Sequence, residues 1–186
     1  MSMPPVVPAR TALVNIYVQN AFLSDVADGP GLIRWINELA SARRSRDMLV
    51  IHTRHVLRPD GSNLGVLKAI PKIYDGILSA GSQTAALHKT LDVHAGDVLV
   101  DKPRFGGFYG TDLELMLRAN GIDTIIVSGI SSPVCCDTTA RRSTRARLPR
   151  AVPLRWHGVH RTRRRTVPRG NGRCSRRTVR RHCHRR

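Results

Sequence analysis

The apolar run Ile125-Ile126-Val127, followed by Gly129-Ile-Ser-Ser-Pro-Val-Cys-Cys-Asp-Thr-Thr-Ala-Arg141, constrains the fold more than any other stretch. A short apolar run bounded by turn residues reads as a buried strand of a parallel sheet. Gly129 lets the chain turn, Ser132 suits a helix N-cap, and Pro133 suits the first helical position. That register predicts Cys135 in the first turn of a helix, where free backbone N–H groups and the helix dipole favour a thiolate. A cysteine placed there, at the carboxyl end of a strand, is a candidate nucleophile. The other reading of the same residue is a small buried core side chain.

Upstream, strands and helices alternate. Residues 12–18 read as strand one, and residues 31–44 as a helix with Leu32, Ile33, Ile36, Leu39 and Ala40 on one face. Residues 48–53 form a short strand, and residues 54–65 a loop marked by Pro59-Asp60-Gly61. Strand three covers residues 97–101. Thr111-Asp-Leu-Glu114 reads as a capping box opening a helix that Gly121 closes, and residues 122–129 are strand four. This alternation predicts an α/β fold: a Rossmann-like open parallel sheet flanked by helices, with its site at the carboxyl ends of the strands.

Three segments occur in a telling order: Thr11-Ala-Leu-Val-Asn-Ile-Tyr-Val-Gln-Asn-Ala-Phe22, then Lys102-Pro-Arg-Phe-Gly-Gly-Phe-Tyr-Gly110 after a strand, then the Cys135 turn. Over about residues 10–141 the chain resembles the isochorismatase-like cysteine hydrolases, a family that includes nicotinamidases, carbamoyl-sarcosine and ureidoacrylate amidohydrolases, and isochorismatases. The resemblance implies hydrolysis of a C–N bond in a small amide, ureido or carbamoyl substrate through a thioester, with no cofactor. It implies a triad of Asp, Lys and Cys, of which Lys102 and Cys135 match two positions. Tyr17 stands at the third, where the family has Asp. A phenol with a pKa near 10 is a poor general base at neutral pH, so impaired turnover is expected. The family's oxyanion hole uses backbone amides at the positions of Ser131 and Cys135, and its peptide between the positions of Ile130 and Ser131 is cis. Gln19, His55 and Phe108 are the substrate-contacting candidates, with a structural role as the alternative for His55 and core packing for Phe108. His52 and His55 lie three apart, on opposite faces of a strand. The Asp that accompanies two histidines in the metal site of nicotinamidases is missing, so no metal is expected. In the intact family a homo-oligomer is expected.

Charge divides the chain. All thirteen acidic residues lie at or before Asp137, and residues 1–141 carry 14 Lys and Arg. Residues 142–186 carry 17 Arg, no Lys and no acid, which supplies nearly all of the net +18. This tail lacks Phe, Ile, Tyr and Met, too little apolar surface to offset chain entropy. Residues 1–141 are therefore expected to be an incomplete hydrolase domain, and residues 142–186 a disordered, non-native Arg-rich tail produced by a reading-frame shift. Arginine codons beginning CG, read one base later, give Asp, Glu, Ala, Gly or Val. From Arg142 the shifted frame permits Glu-Ala-His-Ala-Arg-Asp-Phe-Arg-Val-Leu-Phe-Leu-Ser-Asp-Gly, a helix end, a strand and a turn. Loss of the strands beyond Arg141 is expected to leave one side of strand four open. Two alternatives stand beside this reading. One is a nucleic-acid-binding protein acting through the Arg tail, although any polycation binds phosphates non-specifically. The other is a metal site of Cys174, His182, Cys183 and His184, whose spacing matches no usual zinc pattern. The start of the chain has no long apolar stretch, no run approaches membrane-spanning length, and the two cysteines before the tail are adjacent. A cytoplasmic protein without disulfides or membrane contact is expected.

Overall fold

Apolar runs that helices separate in sequence come together as one parallel sheet. The computed structural model describes residues 6–145 and 150–153. Its strands are β1 (Thr11–Ile16), β2 (Leu49–His55), β3 (Val98–Lys102), β4 (Thr124–Gly129) and β5 (Arg150–Pro153). Their order is β3-β2-β1-β4-β5, and every pairing is parallel. The helices are α1 (Asn20–Leu23), α2 (Gly29–Arg44), α3 (Pro71–Tyr74), α4 (Leu113–Ala119) and α5 (Asp137–Arg145). Among the described residues no helix is long and apolar enough to cross a membrane.

β1 is buried along its whole length, as expected of a central strand covered on both faces. Ala12, Val14 and Ile16 join Ile51, Ile125 and Val127 in one apolar cluster with Ile36 of α2 and Leu117 of α4. Leu13 joins Val50, Ile126 and Ala40 in another. A third cluster, built on Leu57, Leu64, Leu67, Ile73 and Leu78, closes the loop after β2.

Two sequence expectations need correction. The Thr111–Glu114 capping box does not form: Asp112 is the cap residue without a side-chain bond, and Glu114 pairs with Arg118 one turn on. Arg118 is an i,i+4 partner that the box pattern ignores. Strand four does not have an open edge, because β5 pairs with it from Thr124 to Val127. Helix α5 runs across Arg141 to Arg145. The remainder of the expected tail, including the candidate metal ligands Cys174, His182, Cys183 and His184, lies outside the described residues.

Candidate active site

In an open parallel sheet the crevice forms where strand order reverses, and here that point lies between β1 and β4. Gly129 makes the close approach possible. Its φ is +111°, and a Cβ there would collide with the Ile16 carbonyl oxygen, which accepts the Ile130 amide at 2.9 Å. The Ile130–Ser131 peptide that follows is cis. Ser132–Cys136 then winds as a single π-helical turn, with Pro133 near its start.

This joint delivers Cys135 to the carboxyl end of β1. Tyr17, the residue after β1, places its hydroxyl 2.7 Å from Cys135 Sγ. Its φ of 22° is an uncommon backbone state for a bulky residue, and such states gather at functional sites. Lys102, the last residue of β3, sets Nζ 4.4 Å from the centre of the Tyr17 ring and donates to the Arg104 and Phe105 carbonyls at 2.9 and 3.1 Å. Cys135 and Lys102 are fully buried. The structure thus brings together the three residues expected to form the triad.

The electrostatics depart from expectation. Burial raises the Cys135 thiol above its ordinary pKa, against the opposing pull of Lys102, the Tyr17 hydroxyl and the Ser131 amide. The predicted helix-terminus thiolate is therefore corrected: the Cys135 amide is not free but donates to the Ser131 carbonyl at 3.1 Å, and the side chain is out of water. Burial, then the neighbouring Cys135, pushes Tyr17 further above the usual phenol range, so its hydroxyl keeps its proton. Burial lowers Lys102 to about 8, with Cys135 and Cys136 opposing. No carboxylate pairs with Lys102 among the described residues. Cys136 is buried behind this group, its thiol 3.8 Å from the Ser128 carbonyl and raised to about 12 by burial. Of the two amides implied for an oxyanion hole, that of Ser131 faces Cys135 and Tyr17, and that of Cys135 is engaged as described.

The substrate-contact candidates separate. Gln19 is buried with both ends of its amide engaged: Nε2 donates to the His55 and Ala85 carbonyls at 3.1 and 2.6 Å, and Oε1 accepts the His55 amide at 2.7 Å. It holds the end of β2 and is not available to a substrate. Phe108 packs against the main core. His55 stands in the site, its ring 6.2 Å from that of Tyr17 and 6.1 Å from that of Phe105.

Sequence reasoning missed a second buried polar group. Ser128 donates to Asn15 Oδ1, Asn15 Nδ2 meets His52 Nδ1 at 3.4 Å, His52 Nε2 meets Asp97 at 3.1 Å, and Asp97 pairs with Arg44. The signal was present: Asn15 and His52 each interrupt an apolar strand that is buried on both faces. Among the described residues no group of three or more His, Cys, Asp and Glu is placed to hold a metal ion.

Comparison with known proteins agrees with this geometry. The isochorismatase domain model matches residues 11–146. The ureidoacrylate amidohydrolase RutB of Methylobacterium radiotolerans is 31% identical over 158 residues, covering 72% of this chain and 61% of that protein. A cysteine hydrolase from Pseudomonas syringae pv. phaseolicola 1448A superimposes with a TM-score of 0.76 at 33% identity, covering 83% of this chain and 76% of that one. An isochorismatase family protein from Burkholderia thailandensis gives a TM-score of 0.69 at 30% identity, covering 82% and 80%. The chain spans about three fifths of the length of the curated relatives it matches.

Proposed function

The chain belongs to the isochorismatase family, and from that premise we propose that it is a cysteine hydrolase cleaving the C–N bond of a small amide or ureide. The observation that carries this reading is the meeting of Cys135, Tyr17 and Lys102 at the switch point of the sheet. Cys135 Sγ attacks the carbonyl carbon as its thiol proton passes to the substrate nitrogen, the carbonyl oxygen takes up negative charge, and loss of the amine leaves a thioester that water hydrolyses. Lys102 stabilises the thiolate electrostatically. The Ser131 amide, which faces the sulfur, is the backbone donor we assign to the developing oxyanion.

Tyr17 changes the proton economy of this sequence. A hydroxyl held protonated donates to the thiolate and to a leaving amine, but it does not take the thiol proton at neutral pH. We therefore propose slow turnover. Intact-mass measurement of the full chain mixed with a panel of small amides and ureides tests the reading. A mass increase located at Cys135 and absent from Cys135→Ala is expected; hydrolysis that persists in Cys135→Ala would reject it.

For residues 142–186 we propose a shifted reading frame, supported by the confinement of every acidic residue to positions at or before 137. Resequencing the gene around the Arg141 codon tests this, and an uninterrupted frame would refute it.

A further inference from the structure

Two histidines leave β2 three residues apart, and only one is satisfied. His52 has a partner on each ring nitrogen, Asn15 and Asp97. His55 is as deeply buried, at 1% exposure, yet among the described residues its Nε2 has no hydrogen-bond partner. A buried polar atom left unpaired costs about 1–3 kcal/mol, and such exceptions in a folded protein call for a cause. The rest of the ring is firmly placed. Its backbone is held by Gln19, its ring stands nearly perpendicular to that of Phe105, and, with Nε2 bare, the nitrogen that meets the Pro103 carbonyl is the other one.

That last contact fixes the chemistry of the bare atom. A carbonyl only accepts, so the nitrogen facing Pro103 carries the hydrogen, and in a neutral imidazole the second nitrogen is then an acceptor. The ring is kept neutral: burial, then the charges of Lys102 and Arg104, lower its pKa to about 3. The unpaired atom thus seeks a donor. Among the described residues no side-chain donor lies within hydrogen-bond distance of it; the Tyr17 hydroxyl meets Cys135, and Lys102 donates to two carbonyls.

We propose that His55 Nε2 is the fixed acceptor for an N–H of the substrate, which makes His55 a residue selecting amides and ureides over esters of the same shape. The proposal rests on the hydrolase reading above and deepens it. A site built around an acceptor rejects an analogue that presents an oxygen lone pair to it, because two acceptors then face each other in a dry pocket.

Isosteric pairs test this: N-methylpropanamide against methyl propanoate, and N,N′-dimethylurea against dimethyl carbonate. Binding is measured on the full Cys135→Ala chain, so that nothing turns over. The N–H compounds are expected to bind about tenfold more tightly than their oxygen counterparts, the ratio of one hydrogen bond. His55→Phe in the same background removes the preference, and His55→Gln, which retains an acceptor, keeps part of it. Should His55→Phe fail to fold, the imidazole 15N resonances of the unmutated ring give the same answer. The Nε2 signal of a bare acceptor moves on titration with the N–H compound and not with the ester. Equal affinity within each pair, binding of no compound, or an Nε2 already protonated in the free chain at pH 7 overturns the proposal. The mass measurement on Cys135 and this discrimination fail independently, since one requires the nucleophile and the other omits it.

Discussion

His52 and His55 show how one strand serves two purposes. Around His52 every polar atom meets its complement: Ser128, Asn15, the imidazole, Asp97 and Arg44 form an unbroken chain across β4, β1 and β2. Burial lowers the His52 pKa while Asp97 supports it, and burial of Asp97 is outweighed by Arg44, the His94 amide and His52. Around His55 the complements are missing. Among the described residues Lys102 has no carboxylate and His55 Nε2 has no donor, and Cys135 is held as a thiol in the dry. A satisfied buried cluster fixes strands; an unsatisfied one of the same size is held in place by its surroundings and awaits a ligand.

The largest expected effect on this contrast is at Asp97. Asp97→Ala leaves Arg44 and His52 facing an empty position, and removal of one partner of a buried pair costs about 3–5 kcal/mol. Urea unfolding of the full chain measures it, and a loss below about 1 kcal/mol would erase the distinction between the clusters. Lys102→Met behaves in the opposite way. It removes a buried ammonium that has no counter-ion, so stability is expected to stay within about 1 kcal/mol of the parent or rise, while hydrolysis falls. Destabilisation as large as that of Asp97→Ala would show that Lys102 is structural.

A further effect is read from pH. His55 titrates at about 3 in the folded chain, below its ordinary 6.5, so the unfolded chain binds more protons between those values. Stability is therefore lost as pH falls through that window. His52, also lowered, contributes in the same direction. Thermal unfolding between pH 6.5 and about 4.5, above the range where most carboxylates protonate, is expected to show this slope. His55→Phe should flatten it without abolishing it. An unchanged slope would mean that His55 is as accessible to protons folded as unfolded.

Much of this was legible from local pattern. The run before Gly129, the Pro133 turn and the alternation of apolar segments led to the parallel sheet, to a site at the carboxyl ends of its strands and to Cys135, because backbone preference and burial act over a few residues. Lys102 and Tyr17 were found by their motifs. The second polar cluster was legible only in part: Asn15 and His52 stand out in their strands, but strand register joins them to Ser128, and Arg44 and Asp97 come from outside those strands. Gln19 shows a related limit. Its residue type suits substrate contact, but whether an amide is free depends on carbonyls 36 and 66 residues away. Likewise the thiolate expected of a cysteine at a helix start was reversed by burial, which no local sequence window reports.

Tyr17 stands where the proposed reaction needs a base, and since the structure assembles Cys135, Lys102 and Tyr17 in one place, a single substitution is enough to test its role. Ammonia release from a panel of amides and ureides is measured for the parent and for Tyr17→Asp. Restoring a carboxylate that accepts the thiol proton and pairs with Lys102 is expected to raise the rate about 10²–10⁴-fold. A parent that already turns over as fast as Tyr17→Asp, or faster, would contradict the account and make the tyrosine a working catalytic residue.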